Sequence, residues 1–266
     1  MKALRLAGKI ISTLIKDRIH YPGRLLADTL SFSARCGLLL ALYWYVFRWK
    51  GGSINGASFP PAAWSMFFYF VFMILYARNN ARMISADVRS GSIELLLAKP
   101  ISYFWYRCVW QIGYGVYPFL SIGVIGSLVL ALSVGIPSTM AAASFIPTSI
   151  LAFAGSLILT LILYGLIGVL AFWIEDINPF YWMVDKAVMI LGGSYLPIAL
   201  FPPLMYKIAV LSPFGASQLL SHAPTLQWAE EWPRLLAIQA CWIISLGLAL
   251  RFILSAARRK LSVNGG

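Results

Sequence analysis

The sequence is poor in charge. Only 11% of its 266 residues are Asp, Glu, Lys or Arg, and 60% are hydrophobic. Soluble domains carry about 25% charged residues. A soluble fold of this length could not hide so much apolar surface in one core, so lipid is the solvent this chain is written for. Histidine is scarcer still. His20 and His222 fall on opposite predicted sides of a membrane and cannot share a site; each reads as an interfacial or solvent residue. The HExxH and GxSxG patterns are missing, which removes the signatures of zinc peptidases and serine hydrolases. The GxxxxGK[ST] phosphate loop is missing too, because Gly8-Lys9 lacks both the first glycine and the following hydroxyl residue. Cys36, Cys108 and Cys241 lie far apart in apolar segments without CxxC spacing. They read as small core or lipid-facing residues rather than metal ligands or a disulfide. No catalytic residue and no metal ligand is expected.

What is present is a series of long apolar runs. A membrane span needs roughly 20 mainly apolar residues. Six segments meet or approach this, at about 31–49, 61–77, 109–134, 148–173, 187–200 and 235–254. The fifth is short and carries Gly192-Gly193 and Pro197, so a kinked or partly re-entrant segment is one outcome there. The fold class is therefore an all-α membrane protein with six transmembrane helices. Residues 24–266 form one transmembrane domain, preceded by an interfacial helix over 1–23.

The 21 Lys and Arg residues test this division. Alternating sides places 17 of them on one side and 4 on the other, and the positive-inside rule then puts both termini in the cytoplasm. The nine carboxylates avoid the predicted span centres, which leaves none for intramembrane proton or metal chemistry. Arg35 and Arg251 lie near predicted cytoplasmic ends, where long side chains snorkel. Aromatic clusters at Tyr43–Tyr45, Tyr103–Tyr106 and Phe180–Trp182 fit interfacial belts.

Before the first span, Lys2, Arg5, Lys9, Ser12 and Lys16 recur at helical spacing, with Leu6, Ile10 and Leu14 away from them. This predicts a basic amphipathic helix on the inner leaflet, ended by Tyr21-Pro22-Gly23. Between Phe201 and Pro233, five prolines divide apolar pieces too short to span. Short re-entrant helices before span 6 are expected.

The connection between the second and third spans is the most informative stretch. Its first part continues the second span as helix, and Gly91 breaks it. Ser92 is placed to cap a new short helix, Glu94 sits in its first turn, and Pro100 marks its end. Such a helix is too short to cross a membrane, and its apolar residues need a surface to cover them.

This run, Asp87-Val-Arg89-Ser-Gly91-Ser-Ile-Glu94-Leu-Leu-Leu-Ala-Lys-Pro100, resembles the cytoplasmic loop of type-2 ATP-binding-cassette (ABC) transporter permeases. Those carry an acidic-x-Arg-x-Gly-Thr-x-Glu-x-Leu-Leu-x-x-Pro pattern before the third span; Ser92 replaces the more usual Thr. The second internal loop, around Glu175, Asp176, Asn178 and Pro179, is similar to that of a permease subgroup of unassigned substrate. The resemblance implies that Gly91–Pro100 is a coupling helix seated in a groove of an ATPase subunit, with Asp87, Arg89, Ser92 and Glu94 around it. Glu175 and Asp176 would lie at the second contact. It also implies separate ABC ATPase subunits carrying ATP and Mg, with no cofactor on this chain. A second permease subunit, identical or paralogous, completes the pair.

The implied protein is the permease of an exporter in the plasma or inner membrane. It would move an amphipathic or lipid-like substrate outward, without enzymatic activity of its own. Its partners are the ATPase, the second permease and the bilayer, not nucleic acid. A secondary transporter or channel is the second reading and an intramembrane enzyme the third. The first of these calls for ionisable groups at mid-membrane or paired broken helices, and the second for a polar constellation on one side.

Overall fold

A computed structural model describes residues 2–54, 56–97 and 101–264. Its elements are helical apart from one small hairpin. Helix α1 (Lys2–His20) turns at Tyr21 into α2 (Pro22–Trp49), which Pro22 starts at a position where a missing N–H costs nothing. Strands β1 (Ser53–Ile54) and β2 (Ala57–Ser58) pair antiparallel and lead into α3 (Phe59–Met73). A left-handed residue, Tyr76 (φ 54°), and a 3₁₀ turn at Ala77–Asn79 separate α3 from α4 (Asn80–Arg89). Then come α5 (Ser92–Leu97), α6 (Tyr103–Ser133), α7 (Phe145–Val169) and α8 (Asn178–Leu191). Two short helices, α9 (Pro203–Leu211) and α10 (Pro213–Ala216), precede the long α11 (Leu226–Asn264).

The chain is an all-α membrane protein. Among the described residues, five helical stretches are long and apolar enough to cross a membrane: Pro22–Trp49, Phe59–Arg89, Tyr103–Ser133, Phe145–Phe172 and Leu226–Ala257. Helix α7 is apolar on every side, as befits a helix enclosed by others. It sits at the centre, against α4 and α11. Gly168 lets α4 in close; a Cβ there would come 2.8 Å from that of Ile84 and 2.9 Å from the Ala81 carbonyl oxygen. At the periphery, α2 leaves Leu30, Leu38 and Leu42 exposed, and α6 does the same with Val124, Ile125, Leu128 and Leu132. Such an apolar surface calls for lipid or another protein to cover it.

Several boundaries differ from those read in the sequence. Helix α2 runs back through Asp28 and Arg24 to Pro22, because Asp28 finds partners inside the bundle. Arg35 is therefore the fourteenth residue of this 28-residue helix. Helix α6 starts at Tyr103, since Arg107 is likewise paired. The fifth segment is helical from Asn178 rather than 187 and has 14 residues. Pro233 does not divide the chain; it is accommodated inside α11, which begins at Leu226. The apolar stripe of α1 is covered in part by α6, with Ile11 and Leu14 against Gly113.

Candidate functional site

The turn between α4 and α5 is built on Gly91, whose φ of 71° suits a residue without a Cβ. Helix α5 anchors itself through Ile93, which is buried in a cluster with Ile84, Tyr103 and Val169. Leu96 and Leu97 are half-buried, whereas Glu94 is exposed and Leu95 is 75% exposed. An exposed leucine beside an exposed glutamate at the tip of the bundle is a surface that a partner can cover. The Ser92 hydroxyl does not cap α5. It turns back to pair with Ser90 Oγ at 2.9 Å and donates to the Asp87 carboxylate at 3.4 Å.

Asp87 is the node beneath this turn. It is 6% exposed. It accepts hydrogen bonds from Tyr103 Oη at 2.5 Å and Arg107 Nε at 2.6 Å, and a second one from Arg107 completes a two-pronged ion pair. A fork of this kind fixes orientation as well as energy. Asp87 thus ties the α4–α5 turn to the first turns of α6. Arg89, at the end of α4, donates to the Glu175 carbonyl and approaches Asp176 Oδ1 at 3.6 Å. Asp176 in turn accepts from the Asn178 backbone N–H at 3.0 Å and its side-chain amide at 2.8 Å, which shapes the start of α8. The structure so brings together Asp87, Arg89, Gly91, Ser92 and the loop of Glu175 and Asp176, about 86 residues apart in sequence. Arg89 and Asp176 are half exposed, so their ion pair stabilises by less than about 1 kcal/mol and serves to hold register. Pro100 lies outside the described residues.

Two further acid–arginine–tyrosine knots repeat the pattern of Asp87. Asp185, on α8, accepts from Arg78 Nη1 at 2.5 Å and Tyr164 Oη at 3.0 Å. Asp28, on α2, accepts from Arg18 Nη1 at 3.3 Å and from Tyr76 Oη. Arg18 also lies 3.8 Å above the Tyr114 ring. Carboxylates outside the predicted span centres are thus still packed among the helices. Asp28, Asp87 and Asp185 are each drawn inward because an arginine and a tyrosine from other elements satisfy them. Sequence reasoning missed Arg107, Arg78 and the three tyrosines, since partners up to 107 residues apart leave no local spacing to read.

The 3₁₀ turn Leu219–His222 is packed against α3 and α7. His222 is not a solvent residue: it is fully buried, with both ring nitrogens lacking a hydrogen-bond partner, and faces Tyr206 at 5.9 Å. Burial pushes its pKa down to about 3, and burial pushes the Tyr206 phenol up to about 12. His20 is exposed at the end of α1, its Nδ1 2.6 Å from the Lys16 carbonyl oxygen. All three cysteines are free thiols, with Cys36 buried and Cys241 exposed.

An apolar groove of about 520 Å³ runs between α2, α3 and α6, lined by Phe32, Cys36, Leu40, Phe67, Ile122 and Leu130. A smaller, more polar cleft of about 200 Å³ lies on the other flank of α2, against the end of α3 and α8.

A family model described as "ABC-2 family transporter protein" matches residues 36–265, which contain both the α4–α5 turn and the Glu175 loop. The chain belongs to the ABC-2 transporter family. It is a permease-type membrane subunit, and membership implies ABC ATPase subunits as partners on other chains. No curated protein matches this ABC-2 permease in sequence.

Proposed function

We propose that this ABC-2 permease is the membrane half of an exporter, driven through α5 by a separate ATPase that binds ATP and Mg. The observation that carries the reading is the double tether of the α4–α5 turn. Asp87 links it to α6 through Arg107 and Tyr103, and Arg89 links it to the loop before α8. A displacement of α5 by ATPase closure would reach both loops at once, which is what a coupled two-state equilibrium needs. In this reading Asp87, Arg89, Gly91, Ser92, Glu94, Pro100, Glu175 and Asp176 are coupling residues.

The reading has six spans, with both termini cytoplasmic and residues 24–266 as one transmembrane domain in the plasma or inner membrane. Helix α8 is about 21 Å long, short of the roughly 30 Å hydrocarbon core. The buried turn that follows, with Ser194, Ile198 and Leu200, completes the fifth crossing, a break of the kind tolerated where protein covers it. Helices α9 and α10 are re-entrant pieces of the outer leaflet. The apolar groove beside α2 suits an amphipathic or lipid-like cargo. A second permease subunit, identical or paralogous, encloses the path.

Affinity purification of the tagged chain from its native cell in mild detergent tests the reading. A soluble companion bearing a phosphate-binding loop, lost when Glu94 is changed to Arg, is the expected result. A chain that purifies without an ATPase and transports in liposomes without ATP would instead establish a secondary transporter.

A further inference from the structure

Arg35 is the fourteenth residue of the 28-residue helix α2. Within a helix long and apolar enough to cross a membrane, a charged side chain is costly and needs a partner or a water-filled cavity. Among the described residues no carboxylate pairs with it. The guanidinium is exposed and lines the cleft of about 200 Å³ together with Ser31, Tyr76, Asn79 and Tyr181. The other charges around the cleft cancel. Asp28 is held by Arg18 and Tyr76, and Arg78 is held by Asp185. Arg82 lies over the Tyr181 ring at 4.3 Å, which adds positive potential behind that wall. Arg35 is thus the surplus cation of a cleft that already contains hydroxyl and amide donors. Phe32 lines both this cleft and the apolar groove, so a polar site abuts an apolar one on the same helix.

We propose that the cleft between α2, the end of α3 and α8 binds the phosphate or carboxylate headgroup of an anionic amphiphile, with Arg35 as its cation. The guanidinium fork supplies two donors to such an oxyanion, Ser31 and Asn79 add neutral ones, and the acyl part lies along the exposed leucines of α2. The site deepens the amphipathic-cargo reading and rests on it only for whether the bound amphiphile is carried. Binding itself requires α2 to be a span but no ATPase.

The test uses the purified full chain in phosphatidylcholine liposomes, without ATPase, with spin-labelled phosphatidylglycerol and spin-labelled phosphatidylcholine as probes. The wild type should immobilise the anionic lipid preferentially. Arg35→Gln should lower that preference about tenfold, the scale of a charge-assisted hydrogen bond. Arg35→Lys should retain most of it, and Arg5→Gln, on the exposed stripe of α1, should leave it unchanged. Inorganic phosphate that abolished the preference would assign the site to a soluble phosphate compound; phosphate without effect would assign it to a membrane amphiphile. An Arg35→Gln protein with wild-type preference, or an equal loss in Arg5→Gln, would overturn the site. Because the ATPase companion is sought separately by purification, that reading and this one fail independently.

Discussion

At the scale of single residues, the three aspartate knots show how a chain with nine carboxylates uses them. Each aspartate accepts from one arginine and one tyrosine that lie on other elements than its own; for Asp87 both come from α6. A buried carboxylate is expensive alone and acceptable when its lone pairs are filled. Removing Asp87 strands Arg107 and the Tyr103 hydroxyl. Asp87→Ala should therefore cost about 2–3 kcal/mol of stability, read as a lower melting temperature in detergent. Asp87→Ala combined with Arg107→Met should recover part of it; additive losses would show that the pair is not coupled. His222 makes the opposite case, a base kept neutral. Its folded-state pKa of about 3 lies below the ordinary value of 6.5. The unfolded chain therefore takes up the proton first. Stability is whole above about pH 6.5 and falls as pH drops toward 3, by up to about 1.4 kcal/mol per pH unit. Tyr206 faces the imidazole, and Glu231 and Arg234 act on Tyr206. The melting temperature should drop more between pH 7.5 and 5 in the wild type than in His222→Gln. Equal drops would place the acid sensitivity elsewhere.

At the scale of elements, α5 is the distinctive piece. Six residues cannot hold a helix by themselves; Ile93 and the Gly91 turn do it. Gly91→Ala should fold with a modest loss, about 1 kcal/mol for a left-handed alanine. Gly91→Pro cannot adopt a φ of 71° and displaces α5 from the bundle. Gly91→Pro and Glu94→Arg should both insert into the membrane yet lower transport-linked ATP hydrolysis, measured with the reconstituted ATPase. Normal hydrolysis and export in both would remove α5 from the coupling role. The break between α3 and α4 has a comparable origin. Tyr76 takes a left-handed conformation that an aromatic residue rarely adopts, and its hydroxyl is held by Asp28.

For the whole molecule, the exposed leucines of α2 and α6 form a belt that only lipid or another protein can cover. Orientation can be read by cysteine labelling after Cys36, Cys108 and Cys241 are replaced by alanine. An impermeant maleimide should label Ser138→Cys and Lys207→Cys in intact cells, and Glu94→Cys only after permeabilisation. Labelling of Ser138→Cys and Lys207→Cys from opposite sides would show that α8 and the following turn do not complete a crossing. The six-span count would then fail.

Composition pointed the chain to lipid, and apolar runs of about 20 residues made it helical, because a transmembrane strand needs only about half that length. Local chemistry placed the α4–α5 turn: a glycine that must break a helix, and an acidic-x-Arg-x-Gly run before a third apolar segment. The tertiary structure decided what that turn is attached to. The partners of Asp87, Arg89 and Asp185 come from distant segments, and no periodicity connects them. It also set Arg35 at the middle of a helix that begins at Pro22 and buried His222. Helix ends in a bundle are set by which polar side chains find partners inside it, and that depends on residues the local sequence does not contain.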